Sequence, residues 1–352
     1  MGGLVQPRIL DELLAFFGQR VKQARDFNRI GIPLEFVDAS QDKNECHADR
    51  AVHAPLPRVS RMDVDPGAAN LSGSMPWPGL KLVMAKIIFY LERALLALVN
   101  LAFACIPRRR PAREALIDCK IISHRGEHDN RRVRENTLAA FTPAAEAGCW
   151  GLEFDVRWTQ DLQPVVFHDA NAQRVFGIDL VISQVSLAQL QQRVPEIPTL
   201  RQVVDRFGGR QHLMVELKRD DLAAYAIRGE RLREIFAALE PAADYHFLAL
   251  QAELFDLVEF AGSRACLPVA EFNVAELSRI ASQRGYAGVC AQYLLLSRAF
   301  ISRHHLQGQQ LGSGFAASKY GLFREINRGV DWVFTNHAVR LEAIRQDLLR
   351  AE

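Results

Sequence analysis

The sequence predicts an α/β chain: a (β/α)8 TIM barrel carried behind an N-terminal helical and disordered extension. Three observations predict it. From residue 119 onward, short apolar runs alternate with helix-period patterns to the end of the chain, the rhythm of a parallel sheet covered by helices. Before residue 118 the composition is uneven and lacks that rhythm. Polar residues with chemical potential stand at the ends of several apolar runs, which is where barrels of this kind build their active sites.

The bulk numbers agree with a globular chain. Of 352 residues, 49% are hydrophobic and 24% charged, which excludes collagenous, coiled-coil and wholly disordered classes. Lys+Arg is 43 against Asp+Glu 41, a net charge of +2. No global basic field exists to attract nucleic acid. The six cysteines, at 46, 105, 119, 149, 266 and 290, form no C-x-x-C pair. They read as small buried hydrophobes in a reducing compartment rather than as a zinc or redox site.

Residues 1–79 form the extension. An amphipathic helix is expected over 8–27, and residues 38–79, rich in Asp, Ser, Gly and Pro without a period, read as a disordered linker. Residues 1–30 lack an apolar segment ahead of a small-residue cleavage site, so no secretory signal peptide is expected. Residues 80–113 come next. In the run 80–106, Lys81, Lys86, Glu92, Arg93 and Asn100 fall within an arc of about 140° and the rest of the wheel is apolar. Glu92-Arg93 interrupts the run, which disfavours a spanning helix and suits an interfacial one. Arg108, Arg109, Arg110 and Arg113 follow as a basic flank able to meet anionic headgroups. The plainer alternative is a helix that packs its apolar face on the next domain. The expected location is cytoplasmic, with a peripheral place at the inner membrane face on the interfacial reading of this helix.

Residues 119–350 carry the barrel. Strands are expected at 119–124, 151–156, 164–168, 212–217, 245–250, 266–270, 287–291, 310–316 and 330–335. Helices are expected at 136–147, 199–207, 221–239, 253–261, 273–284, 297–305, 319–328 and 338–350. Nine strands are one too many for the barrel. The link 157–163 is too short for a helical crossover, so 151–156 and 164–168 read as a local hairpin.

The chemistry sits at strand ends. The first strand delivers His124 and Arg125, then Gly126, which can turn with positive φ. Glu153 and Asp155 are two apart and share a face, as do Glu216 and Lys218. The run 165–167 ends in His168. Three buried carboxylates need a cation to stay ionised, and all-oxygen ligation suits Ca²⁺ or Mg²⁺. Two histidines outside the ligand set can serve as general base and general acid, and two cations can hold a phosphate. Together they point to phosphoryl transfer. Each fragment alone is usually a solvated strand edge; their ordered recurrence on consecutive strands carries the argument.

In that order the residues resemble the glycerophosphodiester phosphodiesterases, whose barrel is related to that of the phosphatidylinositol-specific phospholipases C. The resemblance runs through His124-Arg125-Gly126, Glu135-Asn136-Thr137, Glu153-Phe154-Asp155-Val156, Thr159, Asp161 and Val165-Val166-Phe167-His168-Asp169. It continues through Ile197-Pro198-Thr199-Leu200, Glu216-Leu217-Lys218, Gly329-Val330-Asp331 and Thr335. It implies Glu153, Asp155 and Glu216 as ligands of a divalent cation and His124 and His168 as the acid/base pair. Arg125 and Lys218 would hold the phosphate, Glu135 would lie near metal and glycerol, and Asn136 would fix its loop. The implied reaction is hydrolysis of a small-molecule glycerophosphodiester to glycerol 3-phosphate and an alcohol. Alternatives are a lysophospholipase D-like enzyme at the membrane and a non-catalytic barrel that binds phosphodiesters.

Some positions depart from the family pattern. Arg134 replaces a usual proline in the charged stretch 127–134, read here as a solvated loop. Phe315 or Tyr320 is expected to stand in for a missing aromatic segment on the penultimate strand. Asn336 stands where relatives often carry Asp. The segment Asp169 to Glu196 is too short for a large lid. His304-His305 reads as a solvated helix face, and Trp150, Trp158 and Trp332 read as packing residues.

Overall fold

The computed structural model describes residues 98–220 and 224–351. The chain divides into two compact units, Met1–Met84 and Ala85–Glu352. The first unit lies outside the described residues, and with it the helix expected at 8–27 and the linker at 38–79. The expected helix 80–106 is described only from residue 98, and it is helical there to residue 105.

The second unit is a closed parallel barrel. Its strands are β1 (Lys120–His124), β2 (Gly151–Trp158), β3 (Pro164–Val166), β4 (His212–Leu217), β5 (Tyr245–Ala249), β6 (Cys266–Ala270), β7 (Gly288–Gln292), β8 (Gln310–Gly314) and β9 (Trp332–Thr335). The order β1-β9-β8-β7-β6-β5-β4-β2 closes through β1–β2, so eight parallel strands form the ring. β3 is the ninth strand and stands outside it, antiparallel to β2 with Val156 opposite Val166. Thr159 makes that hairpin: its hydroxyl donates to Asp161 Oδ1 at 2.6 Å and accepts from the Gln163 amide at 3.0 Å. Pro164 opens β3, a position where the missing N–H costs no ladder bond.

Strands buried on both faces explain the continuous apolar runs. Inward residues such as Ile122, Met214, Leu248, Leu267, Cys290, Trp332 and Phe334 fill the ring. Outward residues such as Phe154, Leu213, Val215 and Phe247 meet the helices. Leu138–Glu146 (α2) starts at Thr137, whose side chain accepts from the Ala140 amide. An additional helix, Arg113–Asp118 (α1), precedes the barrel and buries Leu116.

Several expectations are refined or corrected. Two arginines of the basic flank, Arg110 and Arg113, are engaged by the last helix. They donate to the carbonyls of Leu348 (2.6 Å) and Leu349 (2.9 Å) near the end of the last helix, Ala338–Arg350, where carbonyls lack helical partners. The helix expected at 253–261 is present as 3-10 turns over Ala252–Ala261, broken at Val258. Segment 169–196, for which no helix was expected, carries two. It folds into helices Gln173–Phe176 (α3) and Leu187–Arg193 (α4), with Val165, Phe167, Val175, Ile182 and Leu190 in a small core of its own. His304 is buried, not solvated: it bonds Ser278 and Gln309, both at 2.8 Å. Trp158, Trp332, Cys119, Cys149, Cys266 and Cys290 are buried as expected.

Among the described residues, no helix is long and apolar enough to cross a membrane. Residues 98–105 instead lean on the barrel, where Asn100 accepts from the Tyr293 hydroxyl at 2.8 Å and Phe103 meets the Tyr293 ring at 5.5 Å.

Candidate active site

The site is built at the C-terminal ends of β1, β2 and β4. Parallel register sets Glu153 beside His124 and Asp155 beside Glu216. Ligand oxygens of Glu153, Asp155 and Glu216 lie within 4.8 Å of one another, and all three residues are buried. Lys218 reaches into this group, 2.8 Å from Asp155 Oδ1 and in contact with Glu216. Arg125 Nε lies 3.2 Å from Asp155 Oδ2. The Arg125 amide donates to Glu153 Oε2 at 3.2 Å.

Electrostatics separate the three carboxylates. Burial, then the charges of Asp155 and Glu216, push Glu153 well above the usual carboxylate range. Burial works against Asp155 too, but Lys218 and Arg125 outweigh it and hold that group below the range. Burial also opposes the charge on Arg125 and Lys218, and Asp155 foremost among their carboxylate neighbours pushes both above their ordinary values. Glu153 Oε1 is buried with no hydrogen-bond partner. An unpartnered carboxylate oxygen beside two other carboxylates fits a hard divalent cation.

Each histidine is anchored through Nδ1. His124 Nδ1 lies 2.6 Å from Asn336 Oδ1, and its Nε2 lies 3.8 Å from Glu153 Oε2. Burial and the Arg125 charge lower the His124 imidazole to about 3, so it is neutral at pH 7. His168 Nδ1 lies 2.6 Å from Asp169 Oδ1. A carboxylate only accepts, so Nδ1 donates and Nε2 is left for chemistry. The His168 carbonyl accepts from Arg157 Nε at 2.7 Å, and Arg157 also pairs with Asp220 at 2.6 Å.

The Glu135-Asn136-Thr137 run turns into the α2 cap, with Asn136 left-handed at φ 59°. Asn136 Nδ2 donates to Asp155 Oδ2 at 2.7 Å, so it positions a carboxylate. Glu135 is buried and pairs with Arg125 at 3.1 Å and Arg174 at 2.6 Å, while accepting from Asn130. Burial would raise it, but Arg174 and Asn130 outweigh that and hold it at about 2. Both Glu135 oxygens serve neighbouring side chains. The loop 127–134 is structured rather than merely solvated, since Asp129 Oδ1 accepts from the amides of Arg131, Arg132 and Val133. Phe315 is 39% exposed and meets the His124 ring edge-on at 4.7 Å. Arg157 and Arg174 escaped the sequence reading, because nothing in a lone arginine's spacing announces its partner.

A buried triad of carboxylates, two anchored histidines and two cations thus converge at the mouth of a parallel barrel, an arrangement with the donors for a hard divalent cation and a phosphate. Residues 124–242 match the model of the glycerophosphoryl diester phosphodiesterase family. The chain is 33% identical over 110 residues to the glycerophosphodiester phosphodiesterase of Caldanaerobacter subterraneus, covering 28% of this chain and 44% of that one. It is 42% identical over 71 residues to a human lysophospholipase D, covering 20% of this chain and 22% of that one. The chain thus spans less than half the length of these curated relatives. The fold matches the Oleispira antarctica phosphodiesterase solved with the product sn-glycerol-3-phosphate: TM-score 0.56, 20% identity, 65% of this chain and 96% of that one.

Proposed function

We propose that this chain hydrolyses glycerophosphodiesters, with Glu153, Asp155 and Glu216 holding a divalent cation, Ca²⁺ or Mg²⁺. The observation that carries the reading is the pairing of two Nδ1-anchored histidines with a buried carboxylate triad that includes an unpartnered oxygen. A barrel that only binds has no use for two oriented imidazoles. When bound, the cation would offset negative charge on the phosphoryl oxygens.

The protein's own groups then divide the work. Arg125 and Lys218 face the phosphoryl oxygens as fixed cations. Neutral His124 takes the proton of the glycerol hydroxyl as that oxygen bonds to phosphorus. His168 gives a proton to the departing alcohol oxygen as its bond to phosphorus breaks. In the second half the roles reverse: His168 takes a proton from water, water opens the cyclic phosphate, and His124 returns its proton to glycerol. The products are glycerol 3-phosphate and the alcohol. Phe315 forms an apolar wall beside His124 for the glycerol carbons.

A second reading places the substrate in a membrane, as a lysophospholipid. Its support is the exposure of Leu98, Leu101 and Ile106, followed by Arg108 and Arg109, on the segment that Asn100 and Phe103 seat on the barrel. It carries a peripheral membrane location with it. One assay separates the readings: glycerol 3-phosphate release from glycerophosphocholine and glycerophosphoethanolamine, against choline release from lysolipid vesicles. Each is run with Ca²⁺, with Mg²⁺, with EDTA and with His168→Ala. Metal-dependent release from the soluble diesters, lost in the variant, supports the first reading. No release from any substrate defeats both.

A further inference from the structure

We propose that Arg174 is a positioning residue that sets the His168 imidazole and the Arg125 guanidinium together, through Asp169 and Glu135; this rests on the hydrolase reading above. Arg174 lies on α3, outside the barrel ring. Its Nε is 2.5 Å from Asp169 Oδ2, and a terminal nitrogen is 3.1 Å from Asp169 Oδ1. Its two terminal nitrogens also lie 2.6 Å and 3.2 Å from the Glu135 oxygens. Each carboxylate passes the constraint on. Asp169 holds His168 Nδ1 at 2.6 Å, and Glu135 holds Arg125 at 3.1 Å. One guanidinium therefore joins the arm that moves a proton to the arm that faces the phosphate.

The chemistry of the side chain supports the assignment. A planar fork of five donors can hold two carboxylates in fixed orientation, while an ammonium presents a point charge. Without Arg174, the carboxylates of Glu135 and Asp169 each lose a bidentate partner. Glu135 would still be buried beside Arg125, and Asp169 could rotate with His168. The seat of Arg174 is itself built: Val175 next to it is buried in the small core of segment 165–197. A solvated surface ion pair would have no such consequences, because exposed pairs contribute little. The buried end at Glu135, 3% exposed, sets this one apart.

The test uses the full chain and glycerol 3-phosphate release from glycerophosphocholine. In Arg174→Ala, kcat is expected to fall roughly 10- to 100-fold and KM to rise several-fold, as two groups lose their orientation. Arg174 is 48% exposed, so the vacated place is open to a small cation. Guanidinium at tens of millimolar is expected to restore part of kcat to Arg174→Ala and none to His168→Ala. Arg174→Lys is expected to recover little. Arg193→Ala, which removes an exposed charge from the same segment, is expected to match the wild type in kcat, KM and melting temperature.

Wild-type kcat and KM in Arg174→Ala would overturn the proposal. So would a loss of activity with a lowered melting temperature and no guanidinium rescue, which would mean that the segment had only unfolded. A wild-type chain silent on every diester would sink the hydrolase reading, and this inference with it. An active wild type beside an indifferent Arg174→Ala would sink this inference alone.

Discussion

His124 and Asn336 meet across the β1–β9 pairing, Nδ1 to Oδ1 at 2.6 Å. β1 carries the histidine, and the asparagine follows β9, its neighbour in the ring. The amide oxygen accepts from Nδ1 and leaves Nε2 on the side of Glu153. His168 is anchored the same way, but by a carboxylate. The two anchors are therefore asymmetric in charge, a neutral amide for His124 and a carboxylate for His168.

The first prediction follows from that asymmetry. Asn336→Ala frees the His124 ring and is expected to lower kcat about 10- to 100-fold while leaving the fold intact. Asn336→Asp keeps the acceptor and adds a negative charge beside the ring. An opposite charge favours the protonated imidazole, so the acid limb of the kcat/KM profile should move to higher pH, by about one unit. A pH–rate profile for both variants checks the point. An unmoved limb in Asn336→Asp would remove His124 as the base.

The second prediction concerns the metal. Glu153 is pushed upward by burial and by two carboxylate neighbours, so its ionised form is unfavourable in the metal-free protein. Glu153→Gln removes that repulsion. The variant's melting temperature in EDTA should equal or exceed that of the wild type. Millimolar Ca²⁺ should raise the wild-type melting temperature by linkage and should barely move the variant. Thermal melts with and without metal test this with no need of activity. An equal Ca²⁺ response in both proteins would remove Glu153 from the ligand set.

Much of this site could be read in the residues before the fold was known, and the reason is geometric. In a strand, Glu153 and Asp155 must share a face, and so must Glu216 and Lys218, so spacing alone places four groups inside the mouth. The hairpin 151–166 was legible because its link is too short for a crossover. Asn136 and Arg174 were not legible in their roles, since their partners lie 19 and 39 residues away in sequence. The helix 187–193 left a signal that went unread. Ser186 and Gln189 form a capping box, a local pattern ahead of Leu187 and Leu190. His304 looked solvated because its helix is polar on most sides; only the packing of Ser278 and Gln309 reveals a satisfied buried ring.

The third prediction turns on two histidines far from the chemistry. His212 and His246 stand at the opposite end of the barrel, with His212 Nε2 2.8 Å from His246 Nδ1. His212 Nδ1 lies 2.9 Å from the Ala243 carbonyl, which only accepts, so His246 donates to His212. Burial lowers both, His212 to about 4 and His246 to about 3, with Lys120 adding to the effect. In the unfolded chain each titrates near 6.5. Between those values the unfolded state binds more protons, so stability is full above pH 6.5 and falls as pH drops toward 4. At pH 5.0, about 1.5 pH units below the unfolded value, the loss is on the order of 2 kcal/mol for each imidazole. Urea unfolding at pH 7.5 and 5.0 measures it. His246→Gln, which keeps a donor for His212, should show a shallower fall. A wild-type protein equally stable at both pH values would contradict the buried neutral pair.

The fourth prediction tests the turn that launches the site. Arg125 and Gly126 both have positive φ, 58° and 79°, so the chain reverses immediately after His124. A Cβ on Gly126 would stand 2.6 Å from the backbone and side chain of Ala140 on α2. Two costs then coincide: a left-handed conformation that side chains avoid, and a clash with a helix backbone that cannot yield. Gly126→Ala should destabilise the protein by about 3 kcal/mol. The relief available is a shift of α2, which carries Thr137 at its cap and Asn136 just before it. Asn136 in turn holds Asp155, so activity should fall further than stability alone explains. Comparing the Gly126→Ala melting temperature with its kcat at a temperature where it is fully folded separates the two effects. A folded Gly126→Ala with wild-type kcat would show that α2 does not set the carboxylate site.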